Sequence, residues 1–120
     1  MRPIKFRAWD KVKKIMTPVA GVWFGDDGSA MTVTFEPAPK TKWYVGLVQG
    51  ENGILLQFTG LLDKNGREVY EGDIVQNGVK RGEVYQQYGY WTATNIGQSL
   101  WSPEAIEVIG NIYENPELLK

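Results

Sequence analysis

The chain has no cysteine and no histidine among its 120 residues, and each absence closes off a branch of chemistry. Without cysteine there are no disulfides, no thiolate nucleophile and no Cys-ligated zinc or iron–sulfur centre. Without histidine, the side chain best suited to proton transfer at neutral pH is missing, and so is the commonest metal ligand. An enzyme built from this chain would depend on carboxylates, tyrosines or lysines of shifted pKa. The expectation is a non-enzyme with no catalytic residues, no metal and no cofactor. Long apolar runs are also lacking: none comes near the ~20 residues needed to span a bilayer. Met1-Arg2-Pro3 leads into alternating charge and not into an apolar stretch. No membrane span and no signal peptide are expected, which makes the cytoplasm the default location.

Helical periodicity is scarce, and the dominant pattern is β alternation with frequent turns. A chain of this length makes one ordinary domain or two small subdomains, and buries roughly two-thirds of its unfolded surface. Ile4, Phe6 and Ala8 fall on one face of a first strand, with Lys5, Arg7 and Trp9 on the other. Asp10 to Lys14 is a polar turn, and Ile15-Met16 starts the returning strand. Val19 to Phe24 and Met31 to Phe35 flank Asp26-Asp27-Gly28 as a hairpin. Glu36-Pro37-Ala38-Pro39-Lys40 is a connector, because two prolines remove two ladder donors. Trp43 to Val48 and Ile54 to Phe58 flank Gly50-Glu51-Asn52-Gly53, which suggests a further hairpin.

Turns come closer together from Thr59 onward. Asp63-Lys64-Asn65-Gly66 and Glu71-Gly72-Asp73 both supply the residues a reversing backbone needs. Asp73 to Gln76 reads as a strand, followed by the hairpin dipeptide Asn77-Gly78. Gly82 to Gln87 and Tyr90 to Thr94 pair across Tyr88-Gly89, and Asn95-Ile96-Gly97 turns again. Ser102-Pro103-Glu104 has the capping hydroxyl, first-turn proline and acid of a short helical turn. Glu107 to Tyr113 is a closing strand, and Glu117 to Lys120 a tail. Short strands joined by tight turns suit a small barrel that removes its own edges. The fold class is mainly β with very little helix: an N-terminal antiparallel β subdomain over 1–58 and an SH3-like barrel over 59–120. Ile74, Val84, Ile109 and Ile112 are expected in the core.

Charge is unevenly spread. Residues 1–50 carry eight Lys/Arg against four Asp/Glu, and residues 51–120 carry five against ten. The halves can therefore attract each other within a subunit or between subunits, or the first half can steer a polyanion. Lys5, Arg7, Lys11, Lys13 and Lys14 surround the first turn with Trp9 among them. Basic residues interleaved with an aromatic suit a nucleic-acid backbone; the plainer reading is a solvated hairpin, and Asp10 interrupts the run. Lys80 and Arg81 precede Tyr85 and Tyr88, which suits an interaction surface on the barrel; an exposed tyrosine is otherwise ordinary. Glu68, Glu71 and Asp73 form an acidic cluster that would hold a hard cation weakly, or simply discourage edge pairing. Asp63-Lys64-Asn65-Gly66 begins like a calcium loop, but its glycine comes at the fourth place instead of the sixth, so it reads as a structural turn.

Three blocks carry a family resemblance: I-K-F-R-A-W-D at Ile4 to Asp10, T-G-L-L-D-K-N-G-R-E-V-Y-E-G-D-I-V at Thr59 to Val75, and E-V-I-G-N-I-Y-E-N-P-E-L-L at Glu107 to Leu119. In this order they resemble the YopX family of phage and prophage proteins, while Val12 to Leu56 shows little of its signature. The resemblance implies an SH3-type barrel in the C-terminal part and a temperate-phage or prophage gene product. It supplies no reaction. The expected role is therefore an accessory interaction module that self-associates, with a phage or host protein as a further partner. Two alternatives stand beside it: nucleic-acid binding through the basic hairpin, and a carboxylate-dependent enzyme centred on Glu68, Glu71 and Asp73.

Overall fold

The computed structural model describes residues 4–27, 30–35, 43–48, 50–87, 90–96 and 105–119. The fold is mainly β, built from antiparallel sheets. Helix is slight, a 3₁₀ turn at Pro116–Leu119 being one example. The connector at 36–40 and the Ser102-Pro103-Glu104 turn lie outside the described residues. The chain divides into two units, Lys5–Gln57 and Phe58–Lys120, with Ile4 belonging to the second.

In the first unit, β1 (Phe6–Asp10), β2 (Ile15–Phe24), β3 (Ala30–Phe35), β4 (Trp43–Val48) and the start of β5 (Gly53–Leu62) form one antiparallel sheet. Its order is β4-β3-β2-β1-β5. Pro18 sits where β2 changes partner: it is the last residue to pair with β1, and Val19 is the first to pair with β3. A missing N–H does least harm at such a changeover. Among the described residues the expected hairpin between β4 and β5 is not seen: the start of β5 pairs with β1, and β4 with β3. The turn itself is present, Gly50 N–H donating to the Gly53 carbonyl at 3.0 Å. However, Leu47 of β4 lies against Gly53 so closely that a Cβ there would stand 2.8 Å from the Leu47 Cβ. Glycine at position 53 is what leaves room for the Leu47 side chain at that distance.

In the second unit, the last part of β5 pairs with β6 (Glu68–Tyr70), as Phe58 with Tyr70 and Leu62 with Glu68. The Thr59 hydroxyl bridges the bulge between these pairs, donating to the Val69 carbonyl (2.7 Å) and accepting from Leu61 N–H (3.1 Å). A four-stranded antiparallel sheet comes next, in the order β10-β7-β8-β9, from β7 (Asp73–Asn77), β8 (Lys80–Gln87), β9 (Tyr90–Ala93) and β10 (Glu107–Asn111). Its core gathers Val69, Val75, Val84, Ala93, Ile96, Ile106 and Val108, with Leu61 and Trp91 packed at the margin.

The β7–β8 hairpin departs by one residue from the Asn77-Gly78 dipeptide. Asn77 still pairs with Lys80, so Gly78 and Val79 are the two loop residues. Gly78 takes φ +63° at the first loop position, where a type II′ turn requires glycine. The segment after Asn115 is also more than a tail. Its 3₁₀ turn is tied to β8 by Arg81 Nη1, which donates to the Leu118 carbonyl at 3.4 Å.

Ile74 and Val84 are fully buried as expected, but Ile109 and Ile112 are only half-buried. Val108 and Ile106 take their place in the core. The cause is a β-bulge: Val108 pairs with Val75 and Gly110 with Ile74, leaving Ile109 as the extra residue. An inserted residue reverses the in–out parity of the strand beyond it.

Candidate interaction surfaces

The first surface begins at the β1–β2 turn. Asp10 closes β1 with its carboxylate turned back on the chain, accepting N–H bonds from Val12 and Lys13, both at 3.0 Å. Its carbonyl accepts Lys14 N–H at 2.8 Å, and Lys14 adopts φ +57°. Lys11, Lys13 and Lys14 are all exposed on this turn. Lys5 is exposed and Arg7 half-buried farther down β1. Trp9 corrects the expected platform. At 9 % exposure its ring is buried, so no open face remains for a base to stack on. Strict alternation would leave Trp9 outward, but Ala8 and Trp9 are both buried, so both faces of β1 are covered at this point.

The second surface belongs to β8 and β9. Tyr85 pairs with Thr92 and Gln87 with Tyr90. Paired and alternate residues share a face, so Arg81, Glu83, Tyr85, Gln87, Tyr90 and Thr92 lie on one side of the sheet. Tyr85 is half-buried, and its hydroxyl donates to Gln87 Oε1 at 3.1 Å. Lys80 and Arg81 are exposed, but Arg81 is engaged, its Nε donating to Gln76 Oε1 at 2.9 Å. Tyr88 lies outside the described residues. Tyr90 is 51 % exposed and is the residue that sequence reasoning left out of this surface. Its signal was the first position of a strand whose second residue packs on the core.

The acidic residues are not assembled into a centre. Asp73 is buried and accepts Tyr70 N–H at 2.7 Å through Oδ2. Glu68 accepts the Tyr70 hydroxyl at 3.3 Å. Among the described residues no three Asp, Glu, His or Cys side chains are close enough together to hold a metal ion. Burial, with the Glu71 charge second, holds the Glu83 carboxyl above its ordinary range.

A densely hydrogen-bonded polar constellation forms at the Asp63 turn. Its buried carboxylate accepts Asn65 N–H and Arg67 N–H through Oδ1, each at 2.9 Å, and Val108 N–H through Oδ2 at 2.8 Å. Lys64 N–H adds a 3.0 Å bond to the Ile106 carbonyl. Burial works against ionisation here. The N–H groups of Val108, Arg67 and Asn65, with the Arg67 charge, outweigh it and hold the Asp63 carboxyl below its ordinary value. The loop is thus fastened along the outer edge of β10. An equivalent turn comes after β10, where Asn111 Oδ1 accepts N–H from Tyr113 (3.0 Å) and Glu114 (2.9 Å).

The family model described as YopX protein matches residues 5–120. The chain belongs to the YopX family. Two solved structures share its fold over the full length of both chains. The protein EF1440 from Enterococcus faecalis is 28 % identical with a TM-score of 0.71. The protein yopX from Bacillus subtilis is 20 % identical with a TM-score of 0.69. No curated protein matches the chain. Asp10, Asp63, Asp73 and Asn111, which make the turns just described, all fall within the three sequence blocks that resemble this family. No helix among the described residues is long and apolar enough to cross a membrane.

Proposed function

We propose that the protein is a non-enzymatic accessory protein of phage or prophage origin, working in the host cytoplasm by associating with copies of itself. The observation that carries this reading is the edge strand β9. It is the last strand in the order β10-β7-β8-β9, and Tyr90 at its start is 51 % exposed. Tyr90, Trp91, Thr92 and Ala93 include neither a charge nor a proline, the usual devices that stop an edge from recruiting another chain. The ladder continues to Thr94, whose N–H donates to the Glu83 carbonyl at 3.1 Å. The opposite edge differs, because the Asp63 loop binds the Val108 N–H of β10 and the carbonyl of Ile106 just before that strand. Trp9 of β1 is buried, so its ring is not offered to a second copy. The non-enzymatic reading draws support from the buried acids Asp10, Asp63 and Asp73, whose oxygens bind backbone N–H groups.

Light scattering coupled to size exclusion should give an oligomeric mass that persists at high salt, because surface ion pairs are screened and contribute little. Tyr90→Lys places a charge at the exposed start of β9 and should shift the population towards monomer with an unchanged circular dichroism spectrum. A monomeric wild type across dilution overturns the proposal. A mass that falls with salt and ignores Tyr90→Lys overturns the role of β9.

A further inference from the structure

We propose that the β1–β2 turn is a contact site for the phosphate backbone of nucleic acid, with Lys11, Lys13 and Lys14 as the contacting residues. In the sequence, Asp10 stands inside the basic run and weakens it. In the fold it does not face outward: it is 3 % exposed, and its Oδ1 carries the N–H bonds of Val12 and Lys13. Three lysines within four residues are left on the outside of the turn. Their backbone is fixed by the Asp10 bonds and by the left-handed conformation of Lys14. A fixed turn carrying three exposed ammonium groups fits phosphates spaced along a strand, which ask for charge without a defined angle. Lys11 also reaches the Gly50 carbonyl with Nζ at 3.5 Å and anchors to Asn52 O through its N–H at 2.9 Å. These bonds bring the exposed Glu51 alongside, one acid against three lysines on this pair of turns.

The geometry narrows the mode of binding in two ways. Lys5 lies six residues before Lys11, which at about 3.3 Å per strand residue removes it from the turn, and Arg7 is half-buried. The site therefore consists of the three turn lysines rather than the whole basic run. Trp9 is buried, so the aromatic stacking that gives single-strand binders their base contacts is missing. Binding should be independent of sequence, and log K should fall against log salt with a slope of about −2 to −3 for three phosphates.

The test is fluorescence anisotropy of a labelled oligo-dT strand and of a labelled duplex, with the full-length protein at low and raised salt. The expected result is a salt-sensitive rise with both probes. Lys11→Gln, Lys13→Gln and Lys14→Gln combined should weaken binding by about tenfold or more in low salt and flatten the slope. The triple Lys→Arg variant should keep both affinity and slope, which separates charge from any effect on folding. No anisotropy change with wild type at micromolar concentration overturns the proposal, as does a triple Gln variant that binds like wild type. Competition by poly-glutamate as effective per charge as unlabelled oligo-dT also overturns it, since the site would then recognise acidic polypeptide.

Discussion

Replacing Asp63 by alanine should destabilise the protein by about 3 kcal/mol or more, because it strips a charged acceptor from three N–H groups and leaves Val108 N–H buried without its partner. Asp63→Asn should cost less. It keeps one oxygen for Asn65 and Arg67, but turns an NH₂ donor towards the Val108 N–H that donates to Oδ2. The pH dependence separates charge from shape. The folded-state pKa of Asp63 lies below its ordinary value of 3.8, so its contribution is fully present above the unfolded value and disappears as pH falls through the folded one. Wild type and Asp63→Asn should therefore differ most near neutrality, and the gap should begin to close near about pH 4 and vanish only below the folded-state pKa. Urea unfolding at pH 7 and in acid measures both effects. A loss under half a kcal/mol for Asp63→Ala at pH 7 would show that the loop is not fastened to β10 in solution.

The turns were legible because each rests on local chemistry. Asp10, Asp63 and Asn111 bond N–H groups two to four residues ahead, and Asp73 bonds one three residues behind. Glycine at Gly66 and Gly72 takes φ of +80° and +85°. Such signals sit within a few residues and need no knowledge of the rest of the fold. Partner choice was not legible. The turn between β4 and β5 is real, yet the strands on either side of it part, because a turn does not say which strand lies alongside. Nor does alternation report when both faces of a strand are covered, which is how Trp9 was read as exposed. The contact sites suffered the same way. In the sequence the basic run extends from Lys5 to Lys14 and is broken at Asp10, whereas the fold removes its first half and turns the interrupting acid inward. The charge-free edge of β9 becomes visible only when the order β10-β7-β8-β9 is known.

The bulge in β10 gives the sharpest comparison between pattern and packing. Ile74 is fully buried, with Glu83 as its cross-strand partner on β8 and Gly110 on β10. Neither neighbour is an apolar side chain able to spread into a void. Ile74→Ala should therefore cost about 2–5 kcal/mol, the range for removing a large aliphatic group from a site that collapses poorly. In the bare alternation of Glu107 to Tyr113, Ile109 falls in the place opposite Ile74 and would carry the same penalty. The register assigns that place to Gly110 and leaves Ile109 half-buried outside the ladder. Ile109→Ala should then cost clearly less, about 1 kcal/mol, in keeping with the smaller apolar area it removes from water. Chemical denaturation of both variants, with m-values compared to exclude a change in the unfolded state, decides between the two registers. Equal losses would place Ile109 inside the sheet and remove the bulge. A loss at Ile74 below half a kcal/mol would mean that β7 is not the covered central strand of this sheet.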